Sequence, residues 1–197
     1  MMSKIKLSEN FVKEINYPIK EYEEDLVFLI KEIQERQSMI YKVPYEELDE
    51  INVVLDSVPE ESIDKFNEKY SYIQACYNRV SYILMQVKKE MKIWNYFRNR
   101  VNTLYRKAKN LLLVNNPDIK NLRNKELQEA AIQSELSALV DLVEGLDSIM
   151  EDLKFDSDIV TLKLDTLDKA NLNLNRQQKI VENEIMLGMI PGVRQKE

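Results

Sequence analysis

Histidine is absent from the 197 residues, cysteine occurs once and glycine three times. Without histidine there is no Ser-His-Asp triad, no Cys-His dyad and no imidazole ligand for zinc, copper or haem. The single Cys76 excludes a thiolate metal cluster, a Cys-x-x-Cys redox pair and an intrachain disulfide. Glycines at 145, 188 and 192 leave no phosphate-cradling loop, because such loops need several close together. No apolar run approaches the ~18–20 residues of a membrane span. Residues 1–11 are mixed polar and lack the apolar centre of a signal peptide. Carboxylate pairs such as Asp156/Asp158 and Asp165/Asp168 are the remaining route to metal or acid–base chemistry, and no pocket-forming motif accompanies them. These absences predict a cytoplasmic protein that is not an enzyme, takes no cofactor or metal, and makes no membrane contact.

What is present is helical periodicity. Segment 18–42 is amphipathic, with Ile19, Tyr22, Leu26, Leu29, Ile33 and Ile40 near one stripe. Pro44 opens a short piece carrying Leu48, Ile51, Val54 and Leu55. Ser57-Val58-Pro59-Glu60-Glu61 reads as a helix start, with a capping hydroxyl, an early proline and acids at the positive dipole end. Every seventh residue from 63 is Ile63, Tyr70, Tyr77, Leu84, Met91, Arg98, Tyr105, Leu112; from 66 it is Phe66, Ile73, Val80, Val87, Trp94, Val101, Ala108. Only Arg98 is charged in either series, so a sustained coiled-coil helix is predicted.

Residues 114–118, Val-Asn-Asn-Pro-Asp, read as a turn. A second pair of series follows: Leu136, Val143, Met150, Ser157, Leu164, Asn171, Gln178, Ile185 and Ile132, Leu139, Leu146, Leu153, Val160, Leu167, Leu174, Val181. Gly188 and Pro191 stop it. Two long helices joined by about five residues must run antiparallel. The expected fold is all-α: a long antiparallel helical hairpin with an N-terminal helix packed back. It divides into an arm (1–58), a hairpin (59–188) and a tail (189–197). Off-seam apolar residues such as Tyr82, Ile83, Met85, Leu142 and Ile149 widen the buried face beyond what two helices cover. Segment 18–42, another chain, or both should cover it, so a homo-oligomer is expected. Asn171 and Gln178, polar positions on the seam, are candidates for an oligomer interface that fixes register.

Charge is segregated along the chain. Residues 86–125 carry 11 basic and 2 acidic side chains, residues 1–70 carry 9 and 17, and residues 126–197 carry 7 and 15. The hairpin tip is therefore basic and its other end acidic. Lys88, Lys89, Lys92, Arg98, Arg100, Arg106, Lys107 and Lys109 lie in the basic stretch with Trp94, Tyr96, Phe97 and Tyr105. Tyr96, Phe97 and Arg100 are off the seam and are expected to be exposed or at an interface, whereas Trp94 and Tyr105 are expected in the core. Cations that neutralise phosphates and aromatic faces that stack bases are the requirements of single-stranded nucleic acid binding. The competing expectation is a structural or assembly protein, a scaffold or adaptor, whose basic tip docks on an acidic protein surface.

Tyr105-Arg106-Lys107-Ala108-Lys109, ahead of the turn, and Leu174-Asn175-Arg176 followed by Lys179-Ile180-Val181 resemble the UvsY family, the recombination mediators of T4-type phages. The resemblance covers about residues 66–187. It implies a ring-like homo-oligomer whose basic arms, with Arg106, Lys107 and Lys109 at their centre, hold single-stranded DNA. It also implies two protein partners, a recombinase that is loaded and a single-strand binding protein that is displaced. The chain departs from the family pattern in about sixty additional N-terminal residues, a turn without glycine and an acidic net charge.

Overall fold

A computed structural model describes residues 20–53 and 63–187. Among them there are six helices and no strand: α1 (Lys20–Ser38), α2 (Tyr45–Glu50), α3 (Ile63–Asn115), α4 (Pro117–Lys120), α5 (Lys125–Glu135) and α6 (Ser137–Met186). The protein is all-α. The expected helix start at 57–61 and stop at Gly188 and Pro191 lie outside the described residues, as does all of the tail at 189–197.

The chain forms two compact units, and the division between them cuts both long helices. The first unit contains α1, the later part of α3 (from Val87) and α6 up to Phe155. Arg98 of α3 bonds Asp147 of α6, and Lys109 bonds Glu129 of α5, so the two chain directions oppose each other. Its core joins Leu26, Leu29, Ile30 and Ile33 of α1 to Trp94, Phe97, Val101 and Leu104 of α3 and to Leu139, Leu142, Leu146 and Ile149 of α6. Within the expected segment 18–42, α1 (Lys20–Ser38) thus packs as a third helix on the widened face, and residues 18 and 19 lie outside the described residues.

The second unit contains α2, α3 up to Gln86 and α6 from Asp156. Phe66 and Ile73 cluster there with Ala170, Leu174 and Val181. The Tyr45 hydroxyl donates to the buried Asp156 carboxylate and ties α2 to α6 in this unit. Arg79 forks onto Glu47, with its Nη2 at 2.7 Å, and holds that carboxyl below its ordinary range. Both ends of this pair are well exposed, so it adds little stability. Cys76 is buried, and its thiol beside Tyr72 holds the phenol above its usual range.

Two sequence expectations need correction. The first concerns the seam. The series Phe66 to Ala108 is buried throughout, and so is Leu139 to Val181. Their predicted partners are buried only in part: Leu136 and Leu164 are buried as expected, and the other described members are half-buried or exposed. Tyr77, Leu84, Met91, Arg98, Tyr105 and Leu112 are half-buried and Tyr70 is exposed, while Cys76, Glu90, Phe97 and Leu104 are buried beside Ile83, which was expected on the widened face. In α6 the shift is partial: Leu142 and Ile149 are buried as the widened face required, Asp156 and Ala170 are buried in addition, and Leu164 of the predicted line is buried with them. The cause is the third layer. The α1 helix covers one flank in the first unit and the α2 region does so in the second, and each rolls the buried face toward itself. Tyr82 and Met85, also expected to widen the buried face, stay exposed.

The second correction concerns the turn. The long second helix begins at Ser137, not beside Pro117. Asn116 does end α3, and its side chain accepts from the backbone N–H of Asp118 (3.0 Å) and Ile119 (3.4 Å) to cap the single-turn α4. Asn124 caps α5 in the same way through Glu126 N–H at 2.8 Å. Gln128 donates to the carbonyls of Lys120 (3.2 Å) and Leu122 (2.9 Å), fastening the loop between them. A further break falls at Leu136, whose side chain is buried and whose carbonyl accepts from Leu139 and Val140. Asn116→Ala is expected to lower stability by about 1 kcal/mol, the usual cost of losing such a cap, and a shift of the urea midpoint checks it.

Candidate nucleic-acid interface

From Met91 to Asn115 the α3 sequence contains six basic residues and no acid. Core contact occupies one side of the helix, at Trp94, Phe97, Val101, Leu104 and Ala108. The opposite side is left to polar residues with helical spacing. Lys89, Tyr96 and Thr103 repeat every seven residues, as do Lys92, Asn99 and Arg106, and all six are exposed. Two lines seven residues apart in period and three or four apart from each other form one stripe on a helix. Lys88, Arg100 and Lys107 are exposed on its margins. Glu90, the one acid between residues 88 and 117, faces the core at 4% exposure and bonds Arg36 there.

Tyr96 is the aromatic element of the stripe, 53% exposed. Its ring is backed by Phe97, with centroids 5.7 Å apart and planes tilted by 60°. Phe97 packs edge-on against Trp94, again at 5.7 Å, with 65° between planes. A side chain held from behind by a packed ring loses less freedom when something stacks on its outer face.

Several sequence candidates fall elsewhere. Phe97 is 7% exposed and belongs to the core, so it supports Tyr96 and is no stacking platform. Its burial follows from the rotated seam. Arg98 and Lys109 are half-buried at the α3 flank and bond Asp147 and Glu129, so each meets a carboxylate before any phosphate. Lys88, Lys89, Lys92, Tyr96, Arg100, Arg106 and Lys107 are exposed as expected. Trp94 is fully buried and Tyr105 packs half-buried against the same core.

Sequence reasoning missed Asn99 and Thr103, which interrupt the cations on the same stripe; the Thr103 hydroxyl donates to the Asn99 carbonyl at 2.8 Å. Their seven-residue relation to Lys92 and Tyr96 was the available signal. On α6, Asn171 is half-buried with a buried side-chain oxygen that has no hydrogen-bond partner, and Gln178 donates to Glu182 at 3.1 Å.

Among the described residues no helix is long and apolar enough to cross a membrane. No family model matches the chain, and neither the curated proteins nor the solved structures contain a match to it.

Proposed function

We propose that this protein is a non-enzymatic oligomer of helical hairpins that binds single-stranded DNA through the outer face of α3, in the manner of a recombination mediator. The observation that carries the reading is the exposed, acid-free stripe of Lys88, Lys89, Lys92, Arg100 and Arg106 with Tyr96 among them. Cations at this spacing neutralise successive phosphates and release their counterions. The exposed ring of Tyr96 stacks a base without selecting its identity. One such stripe on one helix is a weak site. Several on one oligomer raise avidity by effective concentration, with no new kind of contact. Asn171 and Gln178 are the proposed points of register between copies. Loading of a recombinase and displacement of a single-strand binding protein in the cytoplasm follow as the corresponding role, as the resemblance to the UvsY family implies.

The test is fluorescence anisotropy of a labelled single-stranded oligonucleotide over a range of salt. Binding should weaken steeply with salt. Replacing Lys88, Lys92 and Arg106 together by alanine should flatten the log–log salt slope by about 2, because each lost phosphate contact removes roughly 0.7. Tyr96→Ala should weaken binding by roughly tenfold with the slope unchanged, since stacking is worth about 1–3 kcal/mol per base. No binding at low salt, or a slope indifferent to the triple substitution, removes this assignment.

A further inference from the structure

The first unit separates charge by helix. Where α3 presents cations from residue 88 to 109, the facing chain has none: residues 126–153 contain eight acids and no lysine or arginine. The inner flanks of the two meet in the Arg98–Asp147 and Lys109–Glu129 pairs. Charge remains on the side of each helix turned away from the core. On α3 that side presents Lys92, Arg100 and Arg106, and on α6 it presents Asp141, Glu144 and Glu151, all exposed. The three acids repeat at three and seven residues and lie on one side of α6, opposite the buried Leu139, Leu142, Leu146 and Ile149. They extend over ten residues, about 15 Å, and the three bases over fourteen, about 21 Å. The acidic stripe therefore fits within the length of the basic one.

Complementary stripes on different faces of one molecule cannot satisfy each other within it. They can do so between two copies. We propose that the acidic face of α6 docks on the basic face of α3 of a second copy of this chain, in a head-to-tail contact. Such a contact uses two different patches, so each added copy leaves one patch of each sign open and the assembly grows or closes into a ring. The charges are exposed, each pair is weak, and the contact is salt-labile. This contact differs in kind from an apolar seam, which salt does not dissolve. It stands without the nucleic-acid reading. If that reading also holds, DNA and a second copy compete for the same lysines and arginines, and self-association sets how much of the basic face is open.

Sedimentation equilibrium of the full chain at about 50 and about 500 mM salt gives the first test, with salt screening the exposed charges. The mass should rise at low salt and fall back at high salt. Two variants then divide the interface. Asp141→Lys/Glu144→Lys/Glu151→Lys has two basic faces, and Lys92→Glu/Arg100→Glu/Arg106→Glu has two acidic ones. Neither alone should show the salt-labile increase, whereas an equimolar mixture should recover it. Circular dichroism of each variant confirms that the helices are intact. The proposal is overturned by a wild-type mass that does not change with salt, by variants that associate as the wild type does, or by folded variants whose mixture forms no complex. Failure of the nucleic-acid reading looks different: anisotropy stays flat while the mixture still associates.

Discussion

Trp94→Ala should lower stability by about 3–5 kcal/mol, the range found for removing a buried large aromatic. Trp94 is 0% exposed and sits where α3 meets the first core, edge-on to Phe97. Losing the indole leaves a void that neighbouring helices, fixed by their own packing, close only in part. A domain is typically stable by about 5–15 kcal/mol, so this one change removes much of the margin. The indole N–H is buried without a hydrogen-bond partner. Trp94→Phe therefore keeps most of the packing and removes a buried orphan donor, and its cost should stay below about 1.5 kcal/mol. Urea denaturation followed at 222 nm distinguishes the two, and fluorescence cannot serve because this is the only tryptophan. An alanine variant within 1 kcal/mol of the wild type would show that Trp94 does not close this core. Because Phe97 leans on Trp94 and Tyr96 leans on Phe97, the alanine variant should also loosen the exposed ring proposed to stack bases.

The same residues mark how far the sequence was legible. Phe66 to Ala108 and Leu139 to Val181 are read correctly as buried lines because apolar residues recur there without exception. The line beside the first was misread, and the line beside the second was misread except at Leu136 and Leu164, which are buried. Met91, Tyr105 and Leu112 on one flank and Phe97 and Leu104 on the other are about equally apolar, so periodicity alone cannot choose between flanks. The choice is made by α1 and the α2 region, whose placement is a tertiary fact. Glu90 shows it most plainly: a charged residue in a basic run reads as solvent-facing, and only Arg36 from α1 makes its burial tolerable. Asn116-Pro117 announces the end of α3 through cap chemistry. The break at Leu136 has no glycine or proline to announce it. Within the candidate interface, exposure of Lys88, Lys92, Tyr96 and Arg106 follows from spacing. The capture of Arg98 and Lys109 by carboxylates depends on how α3 registers against α5 and α6, which no local pattern encodes.

Cutting the Arg36–Glu90 pair from one side should produce the second large loss. Glu90 is buried, its Oε2 has no partner, and the Arg36 side chain keeps 27% exposure while its Nε is buried and unpaired. Removing one member of a buried pair strands the other charge, at about 3–5 kcal/mol. The partial exposure of Arg36 lets water reach the guanidinium, so Glu90→Ala should fall near about 3 kcal/mol, the low end of that range. Arg36→Met should cost at least as much, because it leaves the carboxylate, which is the more deeply buried group. Replacing both, with Arg36→Met and Glu90→Leu, removes two desolvated charges and two orphaned atoms and substitutes apolar bulk. The double variant should recover to within about 1 kcal/mol of the wild type or exceed it, as buried pairs replaced by hydrophobic residues often do. A double variant as unstable as the sum of the singles would show that the pair is a net stabiliser and not a costly specificity contact. The cycle also bears on function. Glu90 interrupts the cations between Lys89 and Lys92 in sequence, but it points into the core and leaves the outer face free of acid. If that face binds single-stranded DNA, the double variant should bind with unchanged affinity and salt slope, because neither altered residue belongs to the exposed stripe.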